Sequence, residues 1–253
     1  MVAATATNKE SSLSRLLLIL LLLAATTASA QSADDAKECL NLGKTEADAA
    51  SDRRIDVCTR AIESGALSQD KLAATLGARG ATYLRRGDLD RAIADYNAAL
   101  RLSPDDVGVL LNRGMAYGEK GDYPAAITDF KAVIERDPES VPAYNGRCYS
   151  LALTGDAAHA LDDCNRALAL APNTPYILDS RAYAFLRAGD FRRAAADYDL
   201  ILQIEPKNAP ALYGRGIARL RLGRQQDGQA DLAAARAADA GIDAAMGKIG
   251  LAP

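Results

Sequence analysis

Residues Ala160–Leu168 read ALDDCNRAL, with apolar side chains at both ends and the centre and polar ones between, and the same order returns every 34 residues. Stepping back from it gives AITDFKAVI and AIADYNAAL, and stepping forward gives AAADYDLIL and GQADLAAAR. The central position of these blocks holds Tyr96, Phe130, Cys164, Tyr198 and Leu232, so one copy has a small thiol where the others have bulk. The period defines five units, 73–106, 107–140, 141–174, 175–208 and 209–242. The first half of each unit carries an arginine (Arg79, Arg113, Arg147, Arg181, Arg215), then a small residue (Gly80, Gly114, Cys148, Ala182, Gly216). A larger side chain comes next (Tyr83, Tyr117, Leu151, Phe185, Arg219), and a glycine (Gly87, Gly121, Gly155, Gly189, Gly223) marks a turn. The second half opens on Ala92, Ala126, Ala160, Ala194 or Gly228 and closes on Pro104, Pro138, Pro172 or Pro206, with Ala240 in the fifth unit.

This punctuation predicts two helices per unit. In four units the glycine is followed by aspartate, so a residue that tolerates a left-handed conformation ends one helix and a capping acid begins the next. The prolines cannot continue a helix and separate the units. Small residues facing alanine allow the two helices to approach closely. A single pair cannot bury its own apolar face, so the pairs are expected to stack into an all-α solenoid.

The small–aromatic–alanine–aromatic–proline spacing over residues 73–242 resembles the tetratricopeptide repeat, a unit of two antiparallel helices. Two departures stand out. The early tryptophan site of the family is Leu76, Leu110, Tyr144, Leu178 and Leu212, and arginine replaces the usual apolar residue before the small one. The arginines have a matching ladder in Asp95, Asp129, Asp163, Asp197 and Asp231, near the same level on the second helix. Structural Arg–Asp pairs are the expectation, in preference to an anion-binding stripe.

In an antiparallel pair, residues equidistant from the turn face each other, and Cys148 and Cys164 are each eight residues from Asp156. They are expected to form a disulfide. RIDVCTRAI, Arg54 to Ile62, aligns with ALDDCNRAL and puts Cys58 at the site of Cys164, with Cys39 as its partner. Residues 31–72 therefore read as a degenerate, stapled end repeat, since terminal repeats lack a neighbour on one side. Residues 243–253 read as a capping helix and tail over the last repeat.

The N-terminal residues change the compartment. Lys9 and Arg15 precede an apolar run, Leu16 to Ala25, that ends in Ala28-Ser29-Ala30. Residues 1–30 thus read as a secretory signal cleaved between Ala30 and Gln31, because the run is about half of the roughly 20 residues that span a bilayer. The expectation is an exported protein, periplasmic or secreted, and not an integral membrane protein after cleavage; disulfides persist there. Cleavage takes two basic residues and one acidic residue from a net charge of −3, leaving −4. A nucleic-acid partner would need a positive footprint and is not expected.

Catalytic chemistry is sparse. The single histidine, His159, sits beside Ala158 and Ala160 at the start of a second helix, and no Ser/His/Asp, Cys/His or metal-ligand constellation can be built around it. No enzyme activity, metal or cofactor is expected. In the family that the repeats resemble, one face of the first helices lines a groove for peptides or helices. Mapped here, that face runs in two main rows, Leu111, Asn145, Asp179 and Tyr213, then Met115, Tyr149, Tyr183 and Ile217, with Arg187 and Arg221 beyond. The Lys/Asn set with which some members clamp a terminal carboxylate does not occur at these positions. Together with the export signal, the resemblance implies a non-catalytic adaptor or assembly factor of the cell envelope, binding a protein or peptide through the tyrosine-bearing face. A carrier of a small ligand, such as a glycan or lipid fragment, is the alternative.

Overall fold

The computed structural model describes residue 27, residues 29–42 and residues 48–253. The apolar run Leu16–Ala25 lies outside the described residues. Among those described, the regular structure is helical: α1 (29–41), α2 (Asp48–Glu63), α3 (Gln69–Arg85), α4 (Leu89–Leu102), α5 (Val107–Lys120), α6 (Tyr123–Arg136), α7 (Val141–Thr154), α8 (Ala157–Leu170), α9 (Pro175–Arg187), α10 (Phe191–Ile204), α11 (Ala209–Arg221), α12 (Gln225–Ala238) and α13 (Ile242–Lys248). From α5 to α11 the first helices start where the 34-residue period puts them, whereas α3 starts a turn earlier, after Ser68. The fold is the all-α stack of antiparallel helix pairs that the period implies. The chain divides within α5 into two compact units, one ending at Val109 and one running from Leu110 to Pro253.

In the first unit, Cys39 and Cys58 form a disulfide between α1 and α2, with Cα atoms 5.1 Å apart. The apolar cluster around this disulfide is small, Cys39, Val57 and Cys58 with Leu42 and Ala78 beside them. Polar links supplement it. Arg60 grips Asp35 at 3.1 and 3.3 Å, the Ser32 and Ser64 hydroxyls lie 2.7 Å apart, and Arg54 Nε donates to the Cys39 carbonyl at 2.8 Å. Residues Ala30 and Gln31 are exposed near the start of α1, and Ser32, just after the expected cleavage point, is buried with its hydroxyl on Ser64.

In the second unit, α7 to α13 share one apolar core. Close approach follows the small residues. Phe130 lies between Gly114 and Gly146, and a Cβ on either would come within 3 Å of its ring. Tyr198 packs on Gly214 in the same way. Where Cys164 replaces the ring, Cys148 replaces the small residue, and the two form a disulfide with Cα atoms 5.5 Å apart. The next first helix has Ser180 at the position in register with Gly146 and Gly214.

The turns form as the Gly–Asp pairs require. Gly87, Gly121, Gly155, Gly189 and Gly223 have φ between 71° and 93°. Asp88, Asp122, Asp156 and Asp190 each accept from the backbone N–H three residues on, at 3.0–3.3 Å. Arg224 stands at the fifth such position and makes no side-chain cap. The arginine ladder is structural. Nε and Nη2 of Arg79, Arg113, Arg147, Arg181 and Arg215 grip Asp95, Asp129, Asp163, Asp197 and Asp231 at 2.6–2.9 Å, and each aspartate is buried. Such two-pronged pairs hold the helices in register, and removing one partner would strand a buried charge. Arg219, at the site where other units have Tyr83, Tyr117 or Phe185, joins the last pair by donating to Asp231 at 2.7 Å.

Candidate functional site

The first helices of the second unit are α5 beyond Val109, α7, α9 and α11. Helical spacing puts residues four apart on one face, so the rows Leu111–Tyr213 and Met115–Ile217 lie one turn apart along the same side. The face has two different halves.

Over α5 and α7 it is open. Met115 is 37% exposed, and Leu111, Asn145 and Tyr149 are half-buried. Tyr149 packs against Tyr183 of α9, with ring centroids 5.7 Å apart and planes tilted by 47°. Burial, reinforced by Tyr183 and the charge of Asp179, pushes the Tyr149 hydroxyl up to about 12. Two acceptors on this half lack donors among the described residues. Asn145 Oδ1 is buried with no hydrogen-bond partner. Asp179 makes no hydrogen bond or ion pair, and burial alone raises its carboxyl to about 6.

Over α9 and α11 the face is covered by the chain itself. Tyr183 and Tyr213, placed by the sequence on the tyrosine-bearing face, are only 2% and 1% exposed. The cause is α13 and the segment 249–253. Ile242 and Met246 of α13 are buried in the core, and Tyr213 lies against Asp243, which Arg236 grips at 2.7 and 2.9 Å. Beyond α13 the chain turns at Gly250 (φ 75°) and lies along α9 and α11. The Tyr183 hydroxyl donates to the Ile249 carbonyl at 2.6 Å, and Leu251, 7% exposed, enters the core. A cavity remains beside this strap, lined by Leu186, Arg187, Phe191, Ile217, Arg221 and Leu251. Arg187 and Arg221 themselves are exposed at its rim, and Ile217 is buried.

The other expected features have definite places. Cys39, Cys58, Cys148 and Cys164 are all in disulfides and buried. His159 is exposed and pairs with Asp156 at 2.8 Å. No group of three or more His, Cys, Asp or Glu side chains that could hold a metal occurs among the described residues. Among them, too, no helix is long and apolar enough to cross a membrane.

Sequence reasoning placed 243–253 as a cap over the last repeat but missed that Ile249, Gly250 and Leu251 reach α9 and cover Tyr183. The apolar spacing Ile242, Met246, Ile249 was a helical signal, but residues beyond 242 fall outside the 34-residue register and have no equivalents in the chain to align with.

Residues 80–145 match the family described as tetratricopeptide repeat. A search of the curated proteins finds no match. Among solved structures, a tetratricopeptide repeat protein from Parabacteroides merdae is 16% identical with a TM-score of 0.67, covering 81% of this chain and 77% of that one. YrrB, a TPR protein with an unusual peptide-binding site, is 20% identical with a TM-score of 0.58, covering 78% of this chain and all of that one (100%). MamA from Desulfovibrio magneticus is 18% identical with a TM-score of 0.60, covering 70% and 99%. At these identities the likeness is one of fold.

Proposed function

Starting from a chain of the tetratricopeptide-repeat family, we propose that it is an exported, non-catalytic adaptor that binds a peptide or helix along the α5–α11 face of residues 110–253. The observation that carries this reading is the chain's own segment 249–253. There the face already holds a stretch of backbone by its carbonyl, through Tyr183, and takes up an apolar side chain, Leu251. A partner segment offers the same groups. The neighbouring half, with Met115 and Tyr149, is open to receive one, and tyrosine supplies contact area at low entropic cost. YrrB, of similar fold, has a peptide-binding site. Export rests on the Leu16–Ala25 run and agrees with two disulfides.

A photo-crosslinking residue placed at Met115 in the exported protein tests the reading, with Leu200, exposed on the second helix α10, as control. A discrete protein adduct at 115 and none at 200 is expected. Equal labelling at both positions, or a small-molecule adduct alone at 115, contradicts it; the second result favours a small-ligand carrier.

A further inference from the structure

The open half of the face has an imbalance of hydrogen-bonding groups. Asn145 on α7 and Asp179 on α9 are 34 residues apart and hold the same position in successive units, on helices that pack together. Both present acceptors without donors. Asn145 Oδ1 is buried and unsatisfied, and the Asp179 carboxylate has neither a hydrogen bond nor a counter-ion among the described residues. Buried polar atoms in folded proteins are ordinarily paired, and an uncompensated carboxylate is costly to keep. Aromatic rings stand around them. Tyr149 and Tyr183 pack together, and the charge of Asp179 is felt by the hydroxyls of Tyr149 and Tyr198.

We propose that this part of the face is a recognition site for a cationic side chain, a lysine or arginine carried by an otherwise apolar peptide segment, with Asp179 as counter-ion, Asn145 Oδ1 as second acceptor and the Tyr149 ring as one wall. The inference rests on the peptide-binding reading above and adds the chemical class of the ligand. An ammonium or guanidinium supplies only donors, which suits two empty acceptors, and it is attracted to an aromatic face. A metal ion suits the site less well, because one carboxylate and one amide oxygen are too few hard ligands and no third acidic or histidine side chain joins them among the described residues. An acidic ligand would meet the Asp179 charge directly. Of the two groove arginines, Arg187 lies two turns along α9 from Asp179, beside Tyr183 and Gly250, and does not neutralise it.

The test uses the full exported chain and three fluorescent dodecapeptides, identical and apolar except at one central position bearing lysine, norleucine or glutamate. Fluorescence anisotropy reads affinity for the unaltered chain, Asp179→Asn, Asn145→Leu and Tyr149→Ala. The lysine peptide is expected to bind at least tenfold more tightly than the norleucine peptide, and the glutamate peptide most weakly. Asp179→Asn should remove the lysine preference, bringing the lysine and norleucine peptides to equal affinity, while Asn145→Leu should reduce that preference severalfold. Equal affinities that all fall in Tyr149→Ala would overturn the cation site and leave the groove reading standing. A lysine preference that survives Asp179→Asn overturns the assignment as well. If none of the peptides binds, both readings fail together.

Discussion

Asp179 links residue chemistry to a measurable cost. Its folded carboxyl is raised to about 6 from an ordinary 3.8 by burial, so the native state holds this proton to higher pH than the unfolded chain does. The associated stability is present below about pH 4 and is lost as pH rises through about 6. At neutral pH the loss amounts to at most about 3 kcal/mol. Asp179→Asn should therefore melt at a higher temperature than the unaltered chain at pH 7.5, with the gap closing towards pH 4. Thermal scans across that range check it, and a gap independent of pH would mean that the carboxylate is well solvated. Packing gives a second residue-scale expectation. Gly214 lies against the Tyr198 ring so closely that a Cβ would collide with it. Gly214→Ala should destabilise by about 1–3 kcal/mol, as overpacking does, measured by urea unfolding. Gly118, with open space at its Cβ position, gives the control. At this scale the sequence revealed whatever recurs at 34 residues. The Arg–Asp ladder and the Cys148–Cys164 pair were legible because five copies give the register of each helix. The empty acceptors at Asn145 and Asp179 were not, since hydrogen-bond satisfaction depends on every neighbour at once.

Among the elements, the two ends of the chain differ from the repeats in what holds them. Helices α1 and α2 bury few apolar side chains, the disulfide itself with Val57 and the small Ala36 and Ala61. By contrast, α7 and α8 are flanked by α6 and α9 as well as joined by Cys148–Cys164. Each crosslink closes a loop of 16 to 19 residues and is worth roughly 3 kcal/mol in the chain-entropy model. Reduction should consequently open α1 and α2 first. Hydrogen exchange on the reduced chain is expected to show lost protection in 29–42 and 48–63 before any in 141–170, and simultaneous loss in both would contradict this. The strap 249–253 is the other special element. Its burial of Tyr183 and Tyr213 was not legible in the sequence, which placed both tyrosines on the groove face but gives residues beyond the last repeat no register. Tyr183→Ala should accordingly act on stability, lowering it by about 3 kcal/mol as a buried ring does. Tyr149→Ala, which removes a half-buried ring packed on Tyr183, should lower melting less than Tyr183→Ala does and weaken binding tenfold or more, as loss of a central anchor does.

For the molecule as a whole, the expected cleavage after Ala30 leaves Ser32 and Asp35 in place, and they anchor α1 to the turn after α2 through Ser64 and to α2 itself through Arg60. N-terminal sequencing of the exported protein should read from Gln31 or within a few residues of it; a full-length chain recovered from the cytosol would remove the case for export. The central claim is that the α5–α11 face accepts an extended peptide and that the segment 249–253 occupies part of it. Its most direct measurement is the affinity of a labelled peptide with the sequence of residues 242–253 for the full chain carrying Leu251→Asp. That substitution puts a charge at a buried apolar position and should release the strap, which hydrogen exchange at 249–253 would register. The peptide should bind this variant saturably and at least tenfold more tightly than the unaltered chain, and adding Tyr183→Ala should abolish the gain. Equal binding to both chains, or none to a variant whose strap is demonstrably released, would contradict the account.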